Sequence, residues 1–150
     1  MVAISDQLVW ELVKRNNCFL KKVNGRSKRS GSIHFSLEKG NLRSRSSYKH
    51  SGLAQSKTID VTCTATNTAI LSTKTASKSA TKVAGSEIPM NKGFNLVVKS
   101  ITSHTSGNYY RPDLKNDALA KFSKVYQANR IAKGVKGKVP VKTGRRLSRN

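Results

Sequence analysis

Twenty-nine lysines and arginines stand against seven aspartates and glutamates in this 150-residue chain, a formal net charge of +22 at pH 7. Self-repulsion at that density opposes compaction, so a counter-charged surface is the expected working environment of the fold. The cations run from Lys14 to Arg149 rather than gathering in one tail. That spread favours an extended polyanion over a small acidic ligand. Hydrophobic residues make up 36% of the chain, enough for one modest core that cannot enclose every segment. Their clustering in periodic stretches argues against disorder throughout.

Those stretches predict an α+β fold, with a small antiparallel sheet packed against an N-terminal helix and two later helices. Ser5 can cap the first helix, and Asp6 complements its dipole. Leu8, Val9, Trp10, Leu12 and Val13 cover a wide arc of that helix, so it is expected to dock by an apolar face with Trp10 as a packing residue. Residues 17–23 read as a turn into a strand, followed by the hairpin signal Asn24-Gly25. Ile33, Phe35 and Leu37 alternate with polar residues, as do Ile59, Val61 and Cys63, and each set predicts a strand. The strand at Ile33 is expected to pair with residues 21–23 and with a later strand, and residues 69–71 begin a return strand.

Pro89 is expected to stop a strand-like piece and Asn91 to cap a second helix, whose stripe is Phe94, Val97, Val98 and Ile101. Ser106-Gly107-Asn108 ends that helix. Pro112 and Asp113 suit the first turn of a third, which buries Leu114, Ala118, Leu119, Phe122, Val125 and Tyr126. The body then spans residues 1–132, with 26–33 and 72–86 as flexible loops. Residues 133–150 mix glycine, proline and cations without an acid and cannot bury enough to offset their ordering entropy. They form an extended basic C-terminal tail, disordered alone and extended when bound.

Catalytic chemistry finds little support. Cys18 and Cys63 sit in neither a CxxC nor a Cys/His spacing, so they read as small buried thiols in a reducing compartment rather than as a disulfide or zinc framework. His34, His50 and His104 have no carboxylate close in sequence. No nucleophile elbow, HExxH or phosphate-cradling glycine loop occurs. The expected protein is not an enzyme and uses no cofactor, metal or small-molecule substrate. The N-terminus lacks the basic start and apolar run of a signal peptide, and no run of about 18 apolar residues could span a membrane.

Basic clusters carry the functional signal. Lys21 and Lys22 lie in the first strand, and Arg26, Lys28 and Arg29 in the following loop. A second cluster holds Arg43, Arg45, Tyr48, Lys49 and His50, with Lys57 just beyond. Tyr110, Arg111 and Lys115 mark the helix junction, and Lys121, Lys124 and Arg130 the third helix. Lys133, Lys136, Lys138, Lys142, Arg145, Arg146 and Arg149 supply the tail. Lysine and arginine donate to phosphate oxygens, small residues admit a close backbone, and tyrosine can stack on an unpaired base. Tyr109 and Tyr110 could equally cover the junction between helices. No helix-turn-helix precedes the third helix, so a large folded RNA suits the pattern better than duplex DNA.

Three motifs then resemble a known family. Residues 8–13, Leu-Val-Trp-Glu-Leu-Val, are followed by 17–22, Asn-Cys-Phe-Leu-Lys-Lys. Asn41-Leu42 precedes Ser46-Ser47-Tyr48-Lys49-His50-Ser51-Gly52-Leu53. Tyr110-Arg111-Pro112-Asp113-Leu114-Lys115 opens the long C-terminal helix. Together they resemble the eukaryote-specific large-subunit ribosomal proteins of the L28e type, over essentially the whole chain. Residues 26–33 look inserted relative to that family, and residues 72–86 match it poorly. The resemblance implies a small mixed α/β fold, no enzymatic activity, and a structural place on large-subunit ribosomal RNA beside neighbouring ribosomal proteins. It implies a cytosolic ribosome assembled through the nucleolus. A nucleolar ribosome-biogenesis factor of the maintenance-of-killer type shares the N-terminal module, but its cysteine-rich segment and acidic region are missing here.

Overall fold

A computed structural model describes residues 4–23, 33–74, 85–135 and 137. The Asn24-Gly25 turn, the basic loop after it, residues 75–84 and the tail beyond residue 137 lie outside the described residues. The elements run α1 (Asp6–Val13), β1 (Leu20–Val23), β2 (Ile33–Ser36), β3 (Thr58–Cys63), β4 (Ala69–Lys74), β5 (Gly85–Met90), α2 (Phe94–Thr102) and α3 (Lys115–Ala132). The α+β class is as expected.

The strands form two antiparallel sheets rather than one. β1 pairs with β2 in the register Leu20↔Ser36 to Val23↔Ile33, and the second sheet has the order β3-β4-β5. The later strand expected beside β2 is replaced by a loop. Phe35 makes an isolated bridge to Arg45, with Ser36 N donating to Ser44 O at 2.9 Å and Ser46 N to His34 O at 2.9 Å. Gly40 (φ +83°) and Ser44 (φ +53°) turn the chain too sharply there for a continuous strand.

Alternation decides what β3 and β4 bury. Ile59, Val61 and Leu71 point into a core completed by Met90, by Val97 and Ile101 of α2, by Leu114 just before α3, and by Ala118 and Phe122 of α3. Each fully buried large side chain here contributes about 1.5–3 kcal/mol of transfer free energy. The predicted stripes of α2 and α3 are the packed ones apart from Phe94, which stays exposed at the start of α2; Val98, Leu119, Val125 and Tyr126 are partly buried against the same cluster.

Other expectations are corrected. The ends of the stretch read as a loop at 72–86 are strand, since β4 and β5 pair from Lys74↔Gly85 to Ala69↔Met90. Pro89 lies inside β5 instead of stopping it, because β5 is an edge of its sheet and a residue without an N–H is tolerated there. Gly93, not Asn91, occupies the N-cap of α2, with no side-chain cap bond. Both cysteines are exposed. Cys63 ends β3 beyond the buried run of that strand.

The largest correction concerns α1. Ser5 caps it as expected, accepting from Leu8 N at 3.3 Å. None of its residues is buried, however. It is held by Asp6, whose Oδ2 accepts from Ser56 N at 3.0 Å, and by Trp10, edge-on to Tyr48 with centroids 6.2 Å apart. Asp6 and Trp10 share one face, one turn apart, while Leu8 and Leu12 lie roughly 200° and 240° round from Asp6 at 100° per residue. Leu8 and Leu12 consequently stay 54% and 68% exposed.

Candidate nucleic-acid interface

The motif around Asn41 to Leu53 folds as a loop fastened to β3, β4 and α3. Asp60 of β3 accepts from Gly40 N at 3.0 Å and from Lys121 Nζ. Lys121 also reaches Asn41 O at 3.3 Å. Buried Glu38 accepts from Asn41 Nδ2 at 3.1 Å. His50 sits between Ser47 Oγ at 2.9 Å and Asp117 Oδ2 at 3.1 Å. Lys74 donates to Gly52 O and Gln55 O at 3.2 and 2.9 Å. A Cβ on Gly52 would lie 1.8 Å from Lys39 O, so only glycine lets these two passes of backbone meet.

Arg111 is the central fastener. Its guanidinium donates to Lys49 O and Lys57 O, each at 2.8 Å, to Gln55 Oε1 at 3.2 Å, and to both Asp113 carboxylate oxygens at 3.0 Å. Only 14% of the side chain is exposed. The fork of five donors is what such a site demands. Arg111 hydrogen bonds, with the charges of Arg111 and Lys49, hold the Asp113 carboxyl below its usual range against the opposing effect of burial. Beside it, the Tyr110 hydroxyl donates to Thr58 O at 3.2 Å and to Lys74 O. Burial pushes that phenol up, opposed by the Thr58 bond, the Arg111 charge and the Lys74 bond.

The residues flanking Tyr110 take strained backbone to place it. Tyr109 (φ +51°) and Arg111 (φ +50°) both adopt the left-handed region, at a cost of order 1–3 kcal/mol each. The two tyrosines thereby divide. Tyr110 covers the junction, and Tyr109 is 87% exposed.

The expected contact residues therefore separate by partner. His50, Tyr110, Arg111 and Lys121 spend their polar groups inside the chain. Arg43, Arg45, Tyr48, Lys49 and Lys57 are exposed on the same fastened segment. Arg43 stands 3.9 Å from Asp117 Oδ1 with its side chain 57% exposed, and Lys57 lies 5.8 Å from the Tyr110 ring centroid. A rigid loop with outward cations can meet a polyanion without first losing its own conformational entropy. Lys21 is exposed on β1, with Lys22 beside it in sequence. Lys124, Arg130 and Lys133 are exposed along and just past α3, and Lys115 is half-buried. Arg26, Lys28, Arg29, Lys136, Lys138, Lys142, Arg145, Arg146 and Arg149 lie outside the described residues.

One cationic region joins two expected contact residues to a lysine that gives no signal in the sequence. A cleft of about 420 Å³ lies where the β3–β4 turn, the β5–α2 connection and the C-terminal end of α3 meet, lined in part by Lys92, Arg130 and Lys133. Lys92 stands alone along the chain, so no cluster marks it. Among the described residues, no group of three or more His, Cys, Asp or Glu could hold a metal ion, and no helix is long and apolar enough to cross a membrane.

Residues 8–128 match the ribosomal L28e protein family. The chain is 33% identical over 130 residues to the large ribosomal subunit protein eL28 of Dictyostelium discoideum, covering 87% of this chain and 92% of that one. It is 38% identical over 129 residues to the protein of the same name from Caenorhabditis elegans, covering 86% and 87%. The Schizosaccharomyces pombe counterpart is 28% identical over 137 residues, covering 89% and 99%.

Proposed function

The chain belongs to the ribosomal L28e protein family, and from that membership we propose that it is a structural constituent of the large ribosomal subunit, bound to large-subunit ribosomal RNA. The observation that carries this reading is the family match over residues 8–128. The chemistry supports it, since most of the 29 cations have no carboxylate to meet when only seven are present. Arg43, Arg45, Lys49 and Lys57 donate to RNA phosphates from the fastened loop, and Tyr48 offers a ring at its edge. His50, Tyr110, Arg111 and Lys121 act indirectly by holding that loop in shape. Lys21, Lys22, Lys115, Lys124 and the cations of 26–29 and of the tail add phosphate contacts around it. Neighbouring ribosomal proteins complete the surroundings, on a cytosolic ribosome assembled through the nucleolus. The role is structural, not catalytic.

Sedimentation tests this directly. The protein should travel with polysomes, near-equimolar with ribosomal RNA, and stay there through a moderate salt wash. Confinement to pre-ribosomal particles would instead make it an assembly factor, and release with nuclease-treated chromatin a DNA-binding protein. Binding to rRNA fragments should weaken steeply with salt, by a log–log slope of roughly 0.7–0.9 per phosphate neutralised.

A further inference from the structure

We propose that the cleft at the C-terminal end of α3 is a second RNA site that takes one unpaired nucleotide, a reading that rests on the ribosomal RNA function proposed above. The cleft's volume, about 420 Å³, falls in the range of about 300–1,000 Å³ typical of small-ligand sites. A duplex cannot enter such a concavity, whereas a single splayed nucleotide can.

Three kinds of group line it, and each matches one part of a nucleotide. Lys92, Arg130 and Lys133 supply the phosphate partners, and none of them is ion-paired with a described carboxylate. Among the described residues, no acid lines the cleft. Asn67 and Asn91 bring side-chain amides, which pair a donor with an acceptor as base edges do. Tyr126 brings a ring braced by Phe94 and Phe122 at centroid distances of 5.2 and 5.8 Å. The Arg130 guanidinium lies over the Tyr126 ring, 6.0 Å from its centroid, and the exposed Phe94 ring beside it offers the open stacking surface. A second depression lined by Phe94, Tyr126 and Arg130 adjoins the first, giving the strand a path past the ring.

The walls are fixed before anything binds. Asn129, buried at the floor, accepts from Cys63 Sγ at 2.9 Å and so ties α3 to the end of β3. Asn67 holds the left-handed position of the β3–β4 turn, φ +55°, with its N–H on Thr64 O at 3.0 Å. Thr64 and Thr68 close that turn further by backbone and side-chain bonds.

The test uses the full chain, a 4-thiouridine-containing RNA hexamer, an abasic strand of equal length, and a folded large-subunit rRNA fragment. The hexamer should bind about ten-fold more tightly than the abasic strand, the scale of one stacked base. Its photo-cross-link should fall on Tyr126 or Phe94. The pair Arg130→Ala and Lys133→Ala should weaken the hexamer about ten-fold, well beyond any loss from Arg43→Ala with Lys49→Ala. The loop pair should instead weaken the folded fragment. Equal binding of hexamer and abasic strand, or cross-links confined to Tyr48 or exposed Tyr109, would overturn the site. So would binding of the folded fragment with none of the hexamer, which leaves the ribosomal reading intact. Failure of the wild-type protein to bind either RNA would overturn both.

Discussion

At the N-terminal end of α3, Arg111, His50 and Lys121 meet Asp113, Asp117 and Asp60, whereas at its C-terminal end Lys92, Arg130 and Lys133 meet no described carboxylate. The contrast shows how a chain with seven acids spends them. Three carboxylates, with Glu38 as a fourth, fasten one loop, Asp60 and Asp117 by long-range contacts and Asp113 and Glu38 by local ones. That loop then presents its remaining cations outward from a fixed backbone. Of the other described cations, Lys14 pairs with Glu11 and Arg43 stands beside Asp117; the rest meet no described carboxylate, which costs stability alone and becomes favourable only against a polyanion. Charge near α3 thus has two uses, told apart by whether the charged group is held inside the chain or, like Arg43 beside Asp117, stays mostly exposed.

The sharpest way to break this comparison is to remove a fastener. Asp60→Ala should destabilise the fold by about 3–5 kcal/mol, because it leaves the Lys121 ammonium in a part-buried site with no counter-charge and orphans Gly40 N. Denaturant unfolding measures it, and a loss under about 1 kcal/mol would mean that the pair does not hold the loop. Arg111→Ala should cost somewhat less, about 2–3 kcal/mol, the scale of hydrogen bonds made by a charged group. Arg111→Lys should fail to restore it, since an ammonium cannot span Lys49 O, Lys57 O and Asp113 together. Full rescue by lysine would show that only the charge matters.

At the other end the same experiment should read nearly flat. Arg130→Ala with Lys133→Ala should shift stability by no more than about 0.5 kcal/mol, as exposed unpaired positions do. The RNA salt slope should fall by roughly 0.7–0.9 for each phosphate that is no longer neutralised. A small, pH-dependent effect belongs to Asp113. Arg111 depresses its carboxyl in the folded state, so its contribution is complete above the ordinary carboxylate pKa of about 3.9 and fades as pH falls below it. With 41% of the side chain exposed, solvent screening limits that contribution to under about 1 kcal/mol. Wild type and Asp113→Asn should therefore differ slightly at pH 7 and converge as pH falls through the depressed folded-state pKa of Asp113. A gap that persists in acid would assign the difference to something other than the charge.

These uses of charge are only partly legible in the sequence. Period marks the packed faces of α2 and α3, because burial there repeats every three to four residues. The Ser5 cap is equally local. The partners of Lys121 and Arg111 are not, since Asp60 lies 61 residues away from one and Lys49 lies 62 from the other. A lysine bound for a carboxylate looks the same in sequence as one bound for phosphate, so the two kinds cannot be separated there. Backbone strain is hidden too, because nothing in Tyr109-Tyr110-Arg111 announces two left-handed residues. On α1, the wide apolar arc suggests burial, but the attachment runs through Asp6 and Trp10 on another face. Lys92 gives no signal because its companions come from α3.

The central claim is that cations held by groups inside the chain shape the protein and exposed ones meet RNA. Lysine-reactivity footprinting of the free protein and of its complex with a large-subunit rRNA fragment tests this residue by residue. Lys74 and Lys121 should react poorly in both states, held by Gly52 O, Gln55 O, Asn41 O and Asp60. Lys49, Lys92 and Lys133 should react freely alone and become protected in the complex. Protection falling on Lys74 and Lys121 while Lys49, Lys92 and Lys133 stay reactive would contradict it.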